Sequence, residues 1–390
     1  MITLKKLISM ICPFFMVSNS QPAKEHLYIK NEVWKNEIYD KAPSNNIYPF
    51  VNIGIGNGLL DVPELCIVDF TGDEYYVAME LQKVHKDGAC FFVAIMYVPT
   101  NQKNEDLTVD VYVPVGADID EQDYVKMFHR VNINPCNLNA SMNISDKGLE
   151  LYLSFKDKYN RIATFTIKEN RQQNDTFGLI APIAANIKAP EFFPMIYLKK
   201  FNIALQKGTE VNFVIDNIKL KPKKLIPLCN FHRVFLIRYS FYNIIRGWNP
   251  NFIGTIEPYV TDKTSREFCA FNCVYEIEEI NGYSTVKSVK SIHNGQELKI
   301  IFYPSLPDLE SLKNEIDLSG NFSFHADEVA GILGGNYHIQ KRGEKIKIKI
   351  HPVDGWQPMP GKKWMSTYLW IADITLLNNK IAIDSKWNRI

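Results

Sequence analysis

Apolar and polar residues alternate along most of the chain with a period of two, the spacing that turns one strand face inward and the other to water. Leu107, Val109, Val111, Val113 and Val115 alternate with Thr108, Asp110 and Tyr112. Leu149, Leu151, Leu153 and Phe155 alternate with Glu150, Tyr152 and Ser154, and Val211, Phe213 and Ile215 with Asn212, Val214 and Asp216. In 345–351, Ile346, Ile348 and Ile350 face inward while the lysines between them face water. The run 90–98 is apolar on both faces and reads as a central strand.

Turn residues punctuate these runs. Asp87-Gly88 joins 75–84 to 90–98, and Asn281-Gly282 and Asn294-Gly295 flank 283–292. Such pairs supply the positive φ angles of two-residue hairpins, so 273–303 is expected to be a three-stranded meander. Further hairpins are expected about Lys158-Tyr159-Asn160, about Lys341-Arg342-Gly343 and about Asn378-Asn379. Helical patterns are few: 120–131, with acids in its first turn, and 308–316, with Asp308 as N-cap.

Many strands and two short helices predict a mainly β fold, antiparallel and barrel- or sandwich-like, in two β halves. The segment 246–264 has two prolines, two glycines and weak periodicity, and is the expected boundary. The division is then 1–25 as an N-terminal arm or signal segment, 26–250 as an N-terminal β domain and 251–390 as a C-terminal one. The halves show no internal repeat.

Composition narrows the function classes. Of 390 residues, 46% are hydrophobic and 12% aromatic, ample for a packed core or a lined cavity. Lys plus Arg number 44 against 43 Asp plus Glu, which leaves no basic footprint, so no nucleic-acid partner is expected. The longest apolar runs, 7–17 and 90–98, fall short of the roughly 20 residues of a spanning helix, so a soluble protein that does not span a membrane is expected. Lys5 and Lys6, an apolar stretch broken by Pro13, and then Ser18-Asn19-Ser20 follow the order of a secretory signal. The short, interrupted apolar part favours a cytoplasmic protein, with secretion if residues 1–20 act as a signal.

Chemistry is less legible. The cysteines are scattered, and Cys269 and Cys273 read as small core residues on one side of a strand, so no metal site is expected. Phosphate-binding, hydrolase-elbow and zinc-helix motifs are absent, and Gly54, Gly56 and Gly58 lack the βαβ context of a dinucleotide loop. His325 and Asp327 lie together beside Glu328, an imidazole–carboxylate pair suited to proton transfer. Strand alternation sets Arg238 in an apolar row, where it needs an acid such as Asp216 or Glu150. Tyr239 joins this set as a proton donor or acceptor. Trp356 and Trp364, on a proline- and glycine-rich loop, and Tyr337 on the adjoining hairpin are the expected ligand contacts.

Two apolar-lined β halves are similar in architecture to tandem lipocalin-like proteins, a likeness of fold alone. That likeness implies a small, largely apolar ligand (an isoprenoid, polyketide or lipid) held in a barrel cavity. Cofactor-free isomerisation, cyclisation or hydration would follow, with Asp216, Arg238, Tyr239, His325 and Asp327 as catalytic groups and no cofactor. The alternative is a non-catalytic module that recognises sugar or protein through exposed aromatics, distinguished by filled cores and an aromatic patch outside. Oligomeric state is not readable from the sequence.

Overall fold

A computed structural model describes residues 33–54, 60–99, 108–125, 128, 130–170, 177–182, 190–225, 233–262, 264–293, 296–325, 333–354 and 368–390. The fold is mainly β with antiparallel sheets; among these residues the ten-stranded sheet is a linear path of strands, and the eleven-stranded one has eight strands in its main path with three short strands paired off it. The pairing of Thr108–Pro114 with Arg130–Cys136 is parallel. Of the described residues, those in 58–179 and 196–245 form one compact unit, and those in 33–57, 180–195 and 246–390 another.

The hairpins form where turn chemistry places them. Ala78–Lys86 pairs with Ala89–Tyr97 about Asp87 and Gly88, at φ 49° and 82°. Cys273–Ile280 pairs with Tyr283–His293 about Asn281 and Gly282, at φ 54° and 89°. Gln296–Leu306 completes that meander, and Asn294-Gly295 lies outside the described residues. The inward isoleucines 346, 348 and 350 are buried, as their alternation predicts.

Both helix expectations change. Among the described residues of 120–131, only Glu121–Val125 is helical, and Arg130 and Val131 already belong to a strand beside Thr108–Pro114. Over 308–316 no helix forms. The Asp308 carboxylate accepts from Ser311 Oγ at 2.7 Å and Ser44 Oγ at 2.8 Å, capping a turn, and Ile316 opens the next strand. Cys269 and Cys273 also depart from expectation. They sit on two strands about Phe271-Asn272, with Cys273 buried and Cys269 exposed.

The first unit is a sandwich. Its smaller sheet has five strands in the order Ile218–Lys219, Thr209–Ile215, Ile162–Glu169, Gly148–Lys156 and Asn139–Ser145. The larger sheet runs from Phe177–Pro182 through Phe193–Leu205, Val234–Trp248, Asp61–Thr71, Ala78–Lys86, Ala89–Tyr97 and Thr108–Pro114 to Arg130–Cys136. Between them Phe70, Met79, Met96, Leu151, Phe165, Phe213 and Ile237 pack into one core. The rings of Phe70, Phe165 and Phe213 stand 5.4–5.6 Å apart in sequence across it.

The second unit is built on a ten-stranded sheet that runs, after Phe252–Ile256, in reverse chain order from Lys380–Arg389 to Glu267–Ala270. Its inner face carries Phe322, Phe324, Trp370 and Trp387, with Phe193 and Trp248 packed against them. Trp387 Nε1 donates to the Asn249 carbonyl at 2.8 Å, so the buried indole keeps a partner.

Candidate functional site

Within the first unit, Asp216, Arg238 and Tyr239 do not converge. Arg238 and Tyr239 are consecutive on Val234–Trp248 and so project to opposite faces of the sheet. Arg238 pairs with Asp69 rather than Asp216 or Glu150. Both expected acids belong to the other sheet of the sandwich, and Asp216 is exposed in a turn at φ 49°. Tyr239 faces the core and donates to the Glu169 carboxylate at 2.6 Å. In the second unit His325 is half-buried, its Nε2 2.6 Å from Ser323 Oγ, which also bonds Tyr303. Tyr337 lies on the inner face, stacked onto Gly320 with its hydroxyl donating to the Pro304 carbonyl. A Cβ on Gly320 would stand 2.4 Å from the Tyr337 ring, so this tyrosine is a packing element. Asp327, Trp356 and Trp364 lie outside the described residues.

Two polar constellations were not read from the sequence. One lies on the face of the larger sheet opposite the sandwich core. Buried Glu80 accepts from Tyr97 Oη at 2.6 Å and Gln82 Nε2 at 2.7 Å, and Gln82 Oε1 accepts from Tyr124 Oη at 3.1 Å. Tyr124 belongs to the short helix, which covers the cluster. Burial holds the Glu80 pKa above the usual carboxylate range, against the opposing pull of its two donors and Arg238. The network links Glu80, Gln82, Tyr97 and Tyr124 to one another, and Glu80, Gln82 and Tyr124 are buried.

The sign of its pH effect follows. An unfolded glutamate ionises near pH ~4.3, whereas folded Glu80 keeps its proton to higher pH. The folded state then binds more protons across that interval, so stability is full below it and declines as pH rises through the folded value. Glu80→Gln is expected to flatten this decline, read as urea midpoints at about pH 5 and about pH 8. Identical pH slopes for parent and variant would remove Glu80 as the cause.

The other constellation is the outward face of the five-stranded sheet. Antiparallel register aligns its outward side chains into three rows across four strands. Asn139, Ser154, Thr164 and Val214 form one, Ser141, Tyr152, Thr166 and Asn212 the next, and Asn143, Glu150, Lys168 and Glu210 the third. The last two rows, Asn143 excepted, line an open groove of about 580 Å³. Tyr152, 38% exposed, stands in the middle row. Among the described residues its ring meets no other ring or cation, and Glu150, Lys168 and Glu210 form no ion pair. These strands were legible singly, with Glu150, Tyr152 and Ser154 on one side, but no sequence signal sets Thr166 beside Tyr152. The one cue was the run of hydroxyl and amide residues on the outward positions.

Comparison with protein-family models, curated proteins and solved structures finds no match of any of the three kinds.

Proposed function

We propose that the first unit is a non-catalytic binding module whose outward five-stranded face takes a carbohydrate. The observation that carries this reading is an exposed, unpartnered Tyr152 ring at the centre of a register-aligned array of hydroxyl, amide and carboxylate groups over an open groove. A sugar ring presents an apolar C–H face and a rim of hydroxyls. The Tyr152 face suits the first, with the electron-rich π surface toward C–H groups. Ser141, Thr166, Asn212 and Glu150 offer donors and acceptors for the second. Strands fix these side chains before the ligand arrives, which lowers the ordering cost of binding.

The other reading, an apolar guest enclosed in a lipocalin-like barrel and altered by proton transfer, requires a closed sheet with catalytic groups converging on a void. Side chains fill the space between the two sheets of the sandwich, and Arg238 and Tyr239 point apart, so the open face has the better support.

The test is isothermal titration of the full chain against a panel of neutral and uronic-acid-containing soluble polysaccharides. At least one is expected to bind, and Tyr152→Ala is expected to weaken it roughly 30-fold, the loss of a central aromatic contact worth about 2 kcal/mol. Tyr152→Phe keeps the ring and should retain most of the affinity. Binding to none of the panel, or binding indifferent to Tyr152→Ala, would reject the proposal.

A further inference from the structure

The edges of the sheets are unequally protected. Exposed edges are ordinarily blunted by shortness, charge or proline, because their unpaired N–H and C=O groups recruit further strands. At one end of the five-stranded sheet, Ile218–Lys219 is two residues long and ends in a lysine. In the larger sheet, Arg130–Cys136 carries Arg130 and Pro135, and Phe177–Pro182 ends in a proline. The other end of the five-stranded sheet is Asn139–Ser145, seven residues with neither charge nor proline, the longest such edge among the described strands. Among the described residues its backbone pairs with Gly148–Lys156 alone.

We infer that Asn139–Ser145 pairs antiparallel with the same strand of a second copy of this chain, making a two-fold dimer whose five-stranded sheets join edge to edge. The strand is self-complementary in the way this requires. A two-fold axis normal to the sheet keeps inner faces on one side, and residues directly opposite in an antiparallel pair point the same way. Only registers that set inward residues against inward residues are therefore allowed, and a pivot at Met142 uses the whole strand. Ala140 then faces Ile144 of the copy, and Met142 faces Met142, so small meets large along the inner row. Outside, Ser141 faces Asn143 and Asn139 faces Ser145, with no like charges opposed. Ala140 and Ile144, each only half-buried against the sandwich core in the single chain, gain cover from each other. Isologous pairing of this kind closes on itself and stops at two.

This inference stands apart from the carbohydrate reading. Where both hold, the Tyr152 rings of the two copies stand roughly 16 Å apart on one continuous face, from a strand spacing of ~4.8 Å and a rise of ~3.4 Å per residue. A polymeric ligand would then engage both at once.

The test is sedimentation equilibrium of the full chain across a concentration series, with two double variants at exposed outward positions. Ser141→Lys with Asn143→Lys sets lysine against lysine at two places in the dimer. Ser141→Lys with Asn143→Glu sets lysine against glutamate at the same two places. The parent is expected to be a dimer, the first variant to raise the dissociation constant roughly tenfold or more, and the second to return it to within about threefold of the parent. Thermal unfolding of both variants verifies that each still folds. A parent that sediments as a monomer throughout, or two variants that dimerise equally well or equally poorly, overturns the inference whatever the carbohydrate titrations give.

Discussion

Lys341→Met is expected to destabilise the second unit by about 3–5 kcal/mol, the largest effect of any single lysine substitution on its sheet. Lys341 is 0% exposed, and its ammonium donates to the carbonyls of Leu309 at 3.0 Å, Glu310 at 2.9 Å and Leu312 at 2.8 Å. Burial pushes the pKa of this amine down, while the three carbonyls hold the proton in place. Methionine fills the same channel and donates nothing, so the carbonyls of a non-helical segment lose their partner in a place water does not easily reach. The proper comparison is Lys345→Met, on the neighbouring strand and exposed, which should fall within about 0.5 kcal/mol of the parent. Chemical denaturation followed by tryptophan fluorescence reads both, since Trp248, Trp370 and Trp387 are buried in this unit. Equal stabilities for the two variants would show that the carbonyls find other partners.

The same lysine explains a sequence expectation that the structure corrects. The hairpin about Lys341-Arg342-Gly343 forms, with its turn at Gly343-Glu344, but 308–316, read locally as a capped helix, does not become one. That reading does not see that the Lys341 side chain reaches residues about thirty positions earlier and gathers their carbonyls, which a helix would have used internally. Features that depend on one or two residues were legible: the positive φ of Asn281-Gly282, or the inward row of Ile346, Ile348 and Ile350. Features that depend on register between distant strands were not. Alternation puts Tyr152 outward, but only pairing with Ile162–Glu169, and through it with Thr209–Ile215, lines it up with Thr166 and Asn212. Arg238 failed for a related reason. Alternation sets it in a row with Val234 and Leu236, yet which acid shares that face is a matter of sheet order, and Asp61–Thr71 supplies Asp69 from the adjacent strand.

Arg161→Ala is expected to cost the sandwich about 3–5 kcal/mol, because two carboxylates would be left buried without their cation. Asp157, in the turn before Ile162–Glu169, accepts from Arg161 Nε at 2.9 Å. Asp73, in a turn of the opposite sheet, accepts from Arg161 Nη1 at 2.7 Å. The two acids have side chains 0% and 3% exposed, so water screens them little. Each also accepts backbone N–H groups, which hold it in place: Tyr159 and Arg161 on Asp157, Tyr75 and Tyr76 on Asp73. The guanidinium lies 4.7 Å from the Tyr75 ring and 5.4 Å from the Tyr159 ring, themselves stacked at 4.0 Å. The planar fork serves an acid from each sheet at once, and a lysine ammonium lacks that reach, so Arg161→Lys should recover less than half of the loss. If stranded charge is the cause, neutralising it must help. Asp73→Asn and Asp157→Asn combined with Arg161→Met should be more stable than Arg161→Ala alone, measured by urea midpoint at neutral pH. A triple variant less stable than Arg161→Ala would place the energy in the aromatic stack and the hydrogen-bonded turns instead of the ion pairs.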